Sequence, residues 1–242
     1  MALSLIIFDC DGVLVDSEIV AAQIESEKLA ELGLEFSPEE ISERFAGLTL
    51  TRITEILTEE TGVHFPDRFV ADVERESDVR LAKVATIQGV HDMLDKLDLP
   101  RCICSNSMMN RLQLMLKPAG LWDRFRPYVF PSREVGTKRG KPAPDVFLYA
   151  CKEFGVAPEE AIVLEDSVHG VAAAVAAGCR VVGFTGGKHS HRGHADSLTE
   201  AGAETVISRL RRMGAHIVDA PADQVGPEAV NAYLDLKRRD LL

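Results

Sequence analysis

Asp9 and Asp11 stand one residue apart directly after the apolar run Leu5-Ile6-Ile7-Phe8, and Gly12 follows them. If the chain is still extended there, alternation turns both carboxylates to one side and Cys10 to the other. Two like charges so placed repel unless a cation lies between them or one keeps its proton. Two more apolar runs end in polar residues. Cys102-Ile103-Cys104 runs into Ser105-Asn106-Ser107, and Ala161 to Leu164 runs into Glu165-Asp166-Ser167. Lys141 lies in a loop from Gly136 to Pro144 whose prolines stiffen it.

Each group also has an ordinary reading. Asp9 and Asp11 could be turn residues, although an acid on a buried strand end is costly without a partner. Ser105 and Ser167 could cap the helices that follow them, and Asp145 reads as a first-turn or capping acid. Lys141 could be a solvated loop lysine. A calcium loop is excluded, because glycine comes at the fourth position of the Asp9 segment and no acid closes a twelve-residue span. What favours chemistry is the repetition: polar groups follow directly on separate apolar runs, and the carboxyl ends of parallel strands are where such sheets bind ligands.

The elements that must position these residues follow from the pattern. Short apolar runs at 5–8, 101–104, 128–130, 161–164, 180–184 and 205–207 read as strands, alternating with helical segments after residue 87. This predicts an α/β fold with a doubly wound, Rossmann-like parallel sheet. Residues 16 to 98 carry no convincing strand. Ser17 can cap a helix running towards Gly33, Ser37-Pro38-Glu39-Glu40 starts a second, Ile53, Ile56 and Leu57 mark a third that stops at Gly62, and Phe69 and Val73 a fourth. Four helices exceed an ordinary crossover. Residues 1–15 and 87–242 are therefore expected to form the core, and 16–86 an inserted helical cap.

At 242 residues, 46% of them hydrophobic, the chain can bury a full core. Its 27 basic and 38 acidic residues give a net charge of -11, which opposes nucleic-acid binding and obliges any phosphate site to bring its own positive charge. Five cysteines without framework spacing suit a reducing, cytoplasmic setting. No run reaches the roughly 18 residues a membrane span needs, and no leader is apparent.

The segments DCDGV, Ser105-Asn106, Lys141 in GKPAPD, and LEDS resemble, in order and spacing, the four motifs of the haloacid dehalogenase superfamily, and the likeness covers most of residues 1–210. The helical insertion resembles the cap of the subgroup that contains β-phosphoglucomutase and many small-sugar phosphatases. The resemblance implies Mg2+ held by Asp9, Asp166 and the backbone carbonyl of Asp11, with Glu165 assisting through water, and a substrate phosphate met by Ser105 and Asn106.

The implied chemistry is hydrolysis of a small phosphorylated metabolite, with a sugar phosphate expected. Asp9 would form an aspartyl phosphate, Asp11 would move the protons, and Lys141 would keep Asp9 ionised. A phosphosugar mutase is the rival, yet family mutases resemble one another in a histidine about twelve residues after the nucleophile, where this chain has Val20-Ala21-Ala22. A haloalkanoate dehalogenase would lack the acid at Asp11, and a non-catalytic phosphate- or metal-binding protein would not need all four motifs filled. Substrate selection is expected from the cap, with Gly47 and Arg52 as candidates. His189, His191 and His194 are expected in a solvated, glycine-rich loop rather than at a metal. Residues 227–236 are a possible helix in a tail without readable chemistry, and a monomer or weak homodimer is expected.

Overall fold

Leu5–Phe8 is fully buried on both faces, as a central strand of a parallel sheet must be, and it forms β1 of a computed structural model that describes residues 3–45, 48–211 and 213. The sheet continues with β2 (Arg101–Ser105), β3 (Val129–Pro131), β4 (Ala161–Glu165), β5 (Arg180–Phe184) and β6 (Thr205–Ile207). Their order is β3-β2-β1-β4-β5-β6, and every pairing is parallel. Strand order reverses between β1 and β4, so the crevice beyond the ends of those two strands is where a doubly wound sheet takes a ligand. Asp9 and Asp166 each lie one residue past those ends.

Alternation divides the core. Ile6, Phe8, Ile103 and Leu164 pack on one face with α5 (Val90–Lys96) and α6 (Met109–Leu116), while Leu5, Ile7, Cys102 and Val163 pack on the other with α8 (Asp145–Phe154) and α9 (Val168–Ala177). Two short helices complete the fold among the described residues, α7 (Trp122–Phe125) and α10 (His194–Glu200). Neither was expected: α7 is a single turn, and α10 carries few apolar residues to mark its period.

The segment between β1 and β2 holds α1 (Ser17–Ala30), α2 (Pro38–Arg44), α3 (Leu50–Thr61) and α4 (Phe69–Leu81). Ile24, Leu29, Ile41, Ile53, Leu57 and Phe69 are buried in an apolar cluster of its own. At α2 the Ser37 hydroxyl accepts from Glu40 N–H and the Glu40 carboxylate from Ser37 N–H, the reciprocal cap the sequence suggests. α3 stops at Gly62, whose φ of 73° closes the helix without a Cβ penalty. Ser17 is not the cap of α1: it is the first helical residue, after Asp16, and its hydroxyl turns back to the crevice. The chain leaves and re-enters the core at one place, where Asp16 N–H donates to Ala85 O and Ile87 N–H to Leu14 O. Gly47 and the tail from His216 lie outside the described residues.

Candidate active site

Asp9 continues β1 by one residue, its N–H donating to Leu164 O of β4 at 3.0 Å. Its carboxylate meets the Lys141 ammonium at 2.5 Å. Lys141 also donates to Glu165 Oε1 and to Cys104 O, both at 2.7 Å, so all three of its N–H groups have partners. Burial alone would push this ammonium towards neutrality, but Asp9 and Glu165 outweigh it and hold the pKa above the ordinary lysine range. At Asp9 the lysine acts in the expected direction but against burial. Burial lifts its pKa well above the usual value, Lys141 only partly opposes this, and Glu165 and Asp166 add to it.

Asp11 sits in a ring of hydroxyls. Ser17 donates to its Oδ1 at 2.8 Å, while Ser105 and Ser107 donate to its Oδ2 at 3.1 and 2.8 Å. These bonds fix the plane of the carboxyl group. Gly12 then turns at φ 73°, and the turn admits no side chain: a Cβ there would lie 1.8 Å from Asp166 Oδ2. Asp166 is buried, and burial first, then Glu165 and Asp11, raise its pKa well above the usual range.

Ser105, Lys141 and Asp166 are thus brought to the same strand ends as Asp9 and Asp11, but three other candidates stand differently. Glu165 points away from the expected ligand position: its carboxylate is taken by Lys141 and by the N–H and hydroxyl of Ser167. Adjacent strand residues face opposite sides, so one of the pair Glu165-Asp166 had to turn from the crevice. Asn106 is also occupied. Its Oδ1 accepts from Lys141 N–H at 2.9 Å and from Ser132, and its amide donates to Lys141 O. These bonds fasten the lysine loop to the end of β2. Arg52 pairs with Glu55 on the exposed surface of α3.

The loop after β5 corrects a further expectation. His194 is buried, with Nε2 2.6 Å from Asp166 O and Nδ1 3.1 Å from Ser190 Oγ. His189 is mostly buried, with Nε2 3.1 Å from Asp166 Oδ2. Burial lowers the pKa of both. Asp16 Oδ1 accepts from Lys188 N–H and ties the same loop to the start of the insertion. Only His191 among the three keeps clear of Asp166, stacking on His194 at 5.2 Å between centroids. Glycine-rich composition suggested solvation, whereas the position of this loop, beside β4 at the binding end of the sheet, was the signal that placed it.

A divalent cation suits these donors. Asp9, Glu165 and Asp166 are buried against a single lysine, which leaves uncompensated negative charge, and the raised pKa values of Asp9 and Asp166 express that cost. Among the described residues no three His, Cys, Asp or Glu side chains are set out as a metal cage. Mg2+ does not ask for one, since it binds through one or two carboxylates and keeps several waters.

Residues 6–184 match the family of haloacid dehalogenase-like hydrolases, and the chain belongs to it. Among curated proteins, 6-phosphogluconate phosphatase of Escherichia coli is 30% identical over 187 residues, covering 76% of this chain and 84% of that one. Hexitol phosphatase A of the same organism is 30% identical over 179 residues, covering 73% and 80%. A haloacid dehalogenase-like protein of unknown function from Agrobacterium tumefaciens superposes with a TM-score of 0.87 at 49% identity, over 90% of this chain and 98% of that one. A family hydrolase from Deinococcus radiodurans with bound phosphate and sodium gives 0.82 at 33% identity, over 93% and 99%. The two curated relatives are phosphatases by name. No described helix is long and apolar enough to cross a membrane.

Proposed function

We propose that this chain is a Mg2+-dependent phosphomonoester hydrolase acting on a small phosphorylated metabolite, with a sugar phosphate as the preferred class. The observation that carries the reading is the Asp9 carboxylate, buried at the strand-order reversal and bonded to a lysine that is itself charged and fully partnered. The phosphatase relatives support the same reaction class.

Asp9 attacks phosphorus as its carboxylate, and the bond from phosphorus to the substrate's ester oxygen breaks. Asp11, oriented by Ser17, Ser105 and Ser107, gives that oxygen a proton. Water then attacks the aspartyl phosphate, Asp11 takes back a proton, and the phosphorus bond to Asp9 breaks to release inorganic phosphate. Lys141 offsets charge on Asp9 as the dianion approaches, Glu165 and Cys104 O hold the ammonium in place, and Asn106 and Ser132 hold its loop. Asp9, Asp166 and the Asp11 carbonyl are the groups that would hold Mg2+. Bound there, the ion supplies positive charge that lowers the repulsion between carboxylate and phosphate. Substrate selection is assigned to the helical insertion.

The test is phosphate release from a panel of sugar and polyol phosphates with and without Mg2+, for wild type and Asp9→Asn. Turnover should require the metal and fall by at least ~10^3-fold in the variant. Retained turnover in Asp9→Asn removes Asp9 as nucleophile, and isomerised substrate without free phosphate would replace hydrolysis by mutase chemistry.

A further inference from the structure

The loop from Thr185 to Gly193 and the first residue of α10 grip Asp166 from two sides, a contact that the phosphatase reading neither needs nor explains. His194 takes the backbone. A carbonyl oxygen can only accept, so the 2.6 Å contact with Asp166 O requires the proton on Nε2, and Nδ1 is then free to accept from the Ser190 hydroxyl at 3.1 Å. His189 takes the side chain, with Nε2 3.1 Å from Oδ2. Its Nδ1 is buried and has no hydrogen-bond partner, so nothing on that edge competes to orient the ring. The ring is held by the carboxylate in front and by His194 behind, edge to face at 5.5 Å between centroids.

Two glycines make room for this arrangement. A Cβ on Gly12 would lie 1.8 Å from Asp166 Oδ2 and 2.8 Å from the His189 ring, and a Cβ on Gly187 would lie 2.6 Å from His189 Nδ1. The backbone therefore comes as close to the imidazole and carboxylate as an absent side chain permits. Lys188 N–H, bonded to Asp16 Oδ1, fixes the loop between those contacts.

We propose that His189 and His194 form a two-point imidazole clamp that sets the position of the Asp166 carboxylate, and with it the affinity of the divalent-cation site. The inference rests on Asp166 being a ligand, as in the proposed function. His189 is a positioning residue: it donates Nε2–H to one carboxylate oxygen, which settles the rotation of the group that would hold the ion. His194 does the same for the backbone that carries it. Hydrogen-bond partners of ligating carboxylates commonly govern metal affinity in this way.

Mn2+ titration of the full chain, followed by the electron paramagnetic resonance signal of the free ion, tests this without turnover. The dissociation constant should rise by roughly 10–100-fold in His189→Ala and His189→Phe, the second of which fills the space without a donor. His189→Gln, whose amide can still donate, should recover to within ~3-fold of wild type. His169→Ala, an exposed imidazole on α9, should leave binding unchanged. With Mg2+ and a turned-over substrate, the metal concentration for half-maximal rate should rise in His189→Phe far more than the rate at saturating metal falls. Equal Mn2+ affinity in His189→Phe and wild type overturns the clamp and leaves the phosphatase reading standing. Absence of any Mn2+ binding by wild type overturns both, and nitrogen hyperfine coupling from a directly bound imidazole would make His189 a ligand instead.

Discussion

The crevice and the helical insertion treat charge in opposite ways. At the strand ends Asp9, Lys141, Glu165 and Asp166 are buried together, whereas the ion pairs of the insertion, Arg80 with Glu27 and Glu76 and Arg75 with Asp72, lie on its surface over an apolar cluster. Exposed pairs contribute little, and buried ones are worth having only if every member is satisfied. A fold seeking stability alone would place its charges as the insertion does. The crevice accepts the cost of burial, which is the pattern of a site whose groups are held ready for another charge.

The contrast is sharpest at Lys141. Lys141→Met removes the ammonium from two buried carboxylates and a carbonyl, so thermal or urea unfolding should report a loss of ~3–5 kcal/mol near neutral pH. Added Mg2+ should recover part of it, because the ion binds the native state alone. A change under ~1 kcal/mol would mean that Asp9 and Glu165 are not held as charges in the free protein.

Glu25 breaks the pattern within the insertion. It is half-buried on α1, and burial raises its pKa from 4.5 to about 7. An acid with a raised folded-state pKa stabilises the fold while protonated, so its contribution is intact below pH 4.5 and is lost as the pH rises through about 7. Glu25→Gln should match wild type at pH 4 to 5 and exceed it by on the order of 1–2 kcal/mol at pH 8, read from urea midpoints at the two pH values. At the bottom of the scale, Arg80→Ala, which removes surface pairs to Glu27 and Glu76, should cost no more than ~1 kcal/mol and should weaken with added salt. A loss as large as that of Lys141→Met would abolish the distinction between the two regions.

Much of this is legible in the order of the amino acids. The strands announced themselves as short apolar runs, the insertion as a stretch of helical periods, and the site as polar residues directly after those runs. What escaped was what adjacency alone conceals. Glu165 and Asp166 read as a pair of acids, but strand alternation separates them, one to fasten Lys141 and the other to face the crevice. Asn106 follows a strand, and its bonds to the Lys141 backbone depend on a contact 35 residues away that no local pattern reveals. Of the three histidines in the last loop, His191 keeps an exposed contact with Arg192 O, as expected, but His189 and His194 were misjudged from composition. Their burial follows from the order of the strands, which brings the end of β5 beside that of β4.

The insertion joins the sheet through two crossings that touch each other, Asp16 against Ala85 and Val15 bridged to Thr86. Cutting at that neck would leave the two loose ends about a hydrogen bond apart, a gap that a tight turn can close. The wiring of the sheet therefore does not record what is threaded between its first two strands. A swap of this cassette between relatives that leaves Asp16 and Ser17 with the sheet, and with them the bonds to Lys188 and Asp11, should carry substrate preference with it and leave the reaction behind, so that taste and chemistry are inherited separately in a single chain.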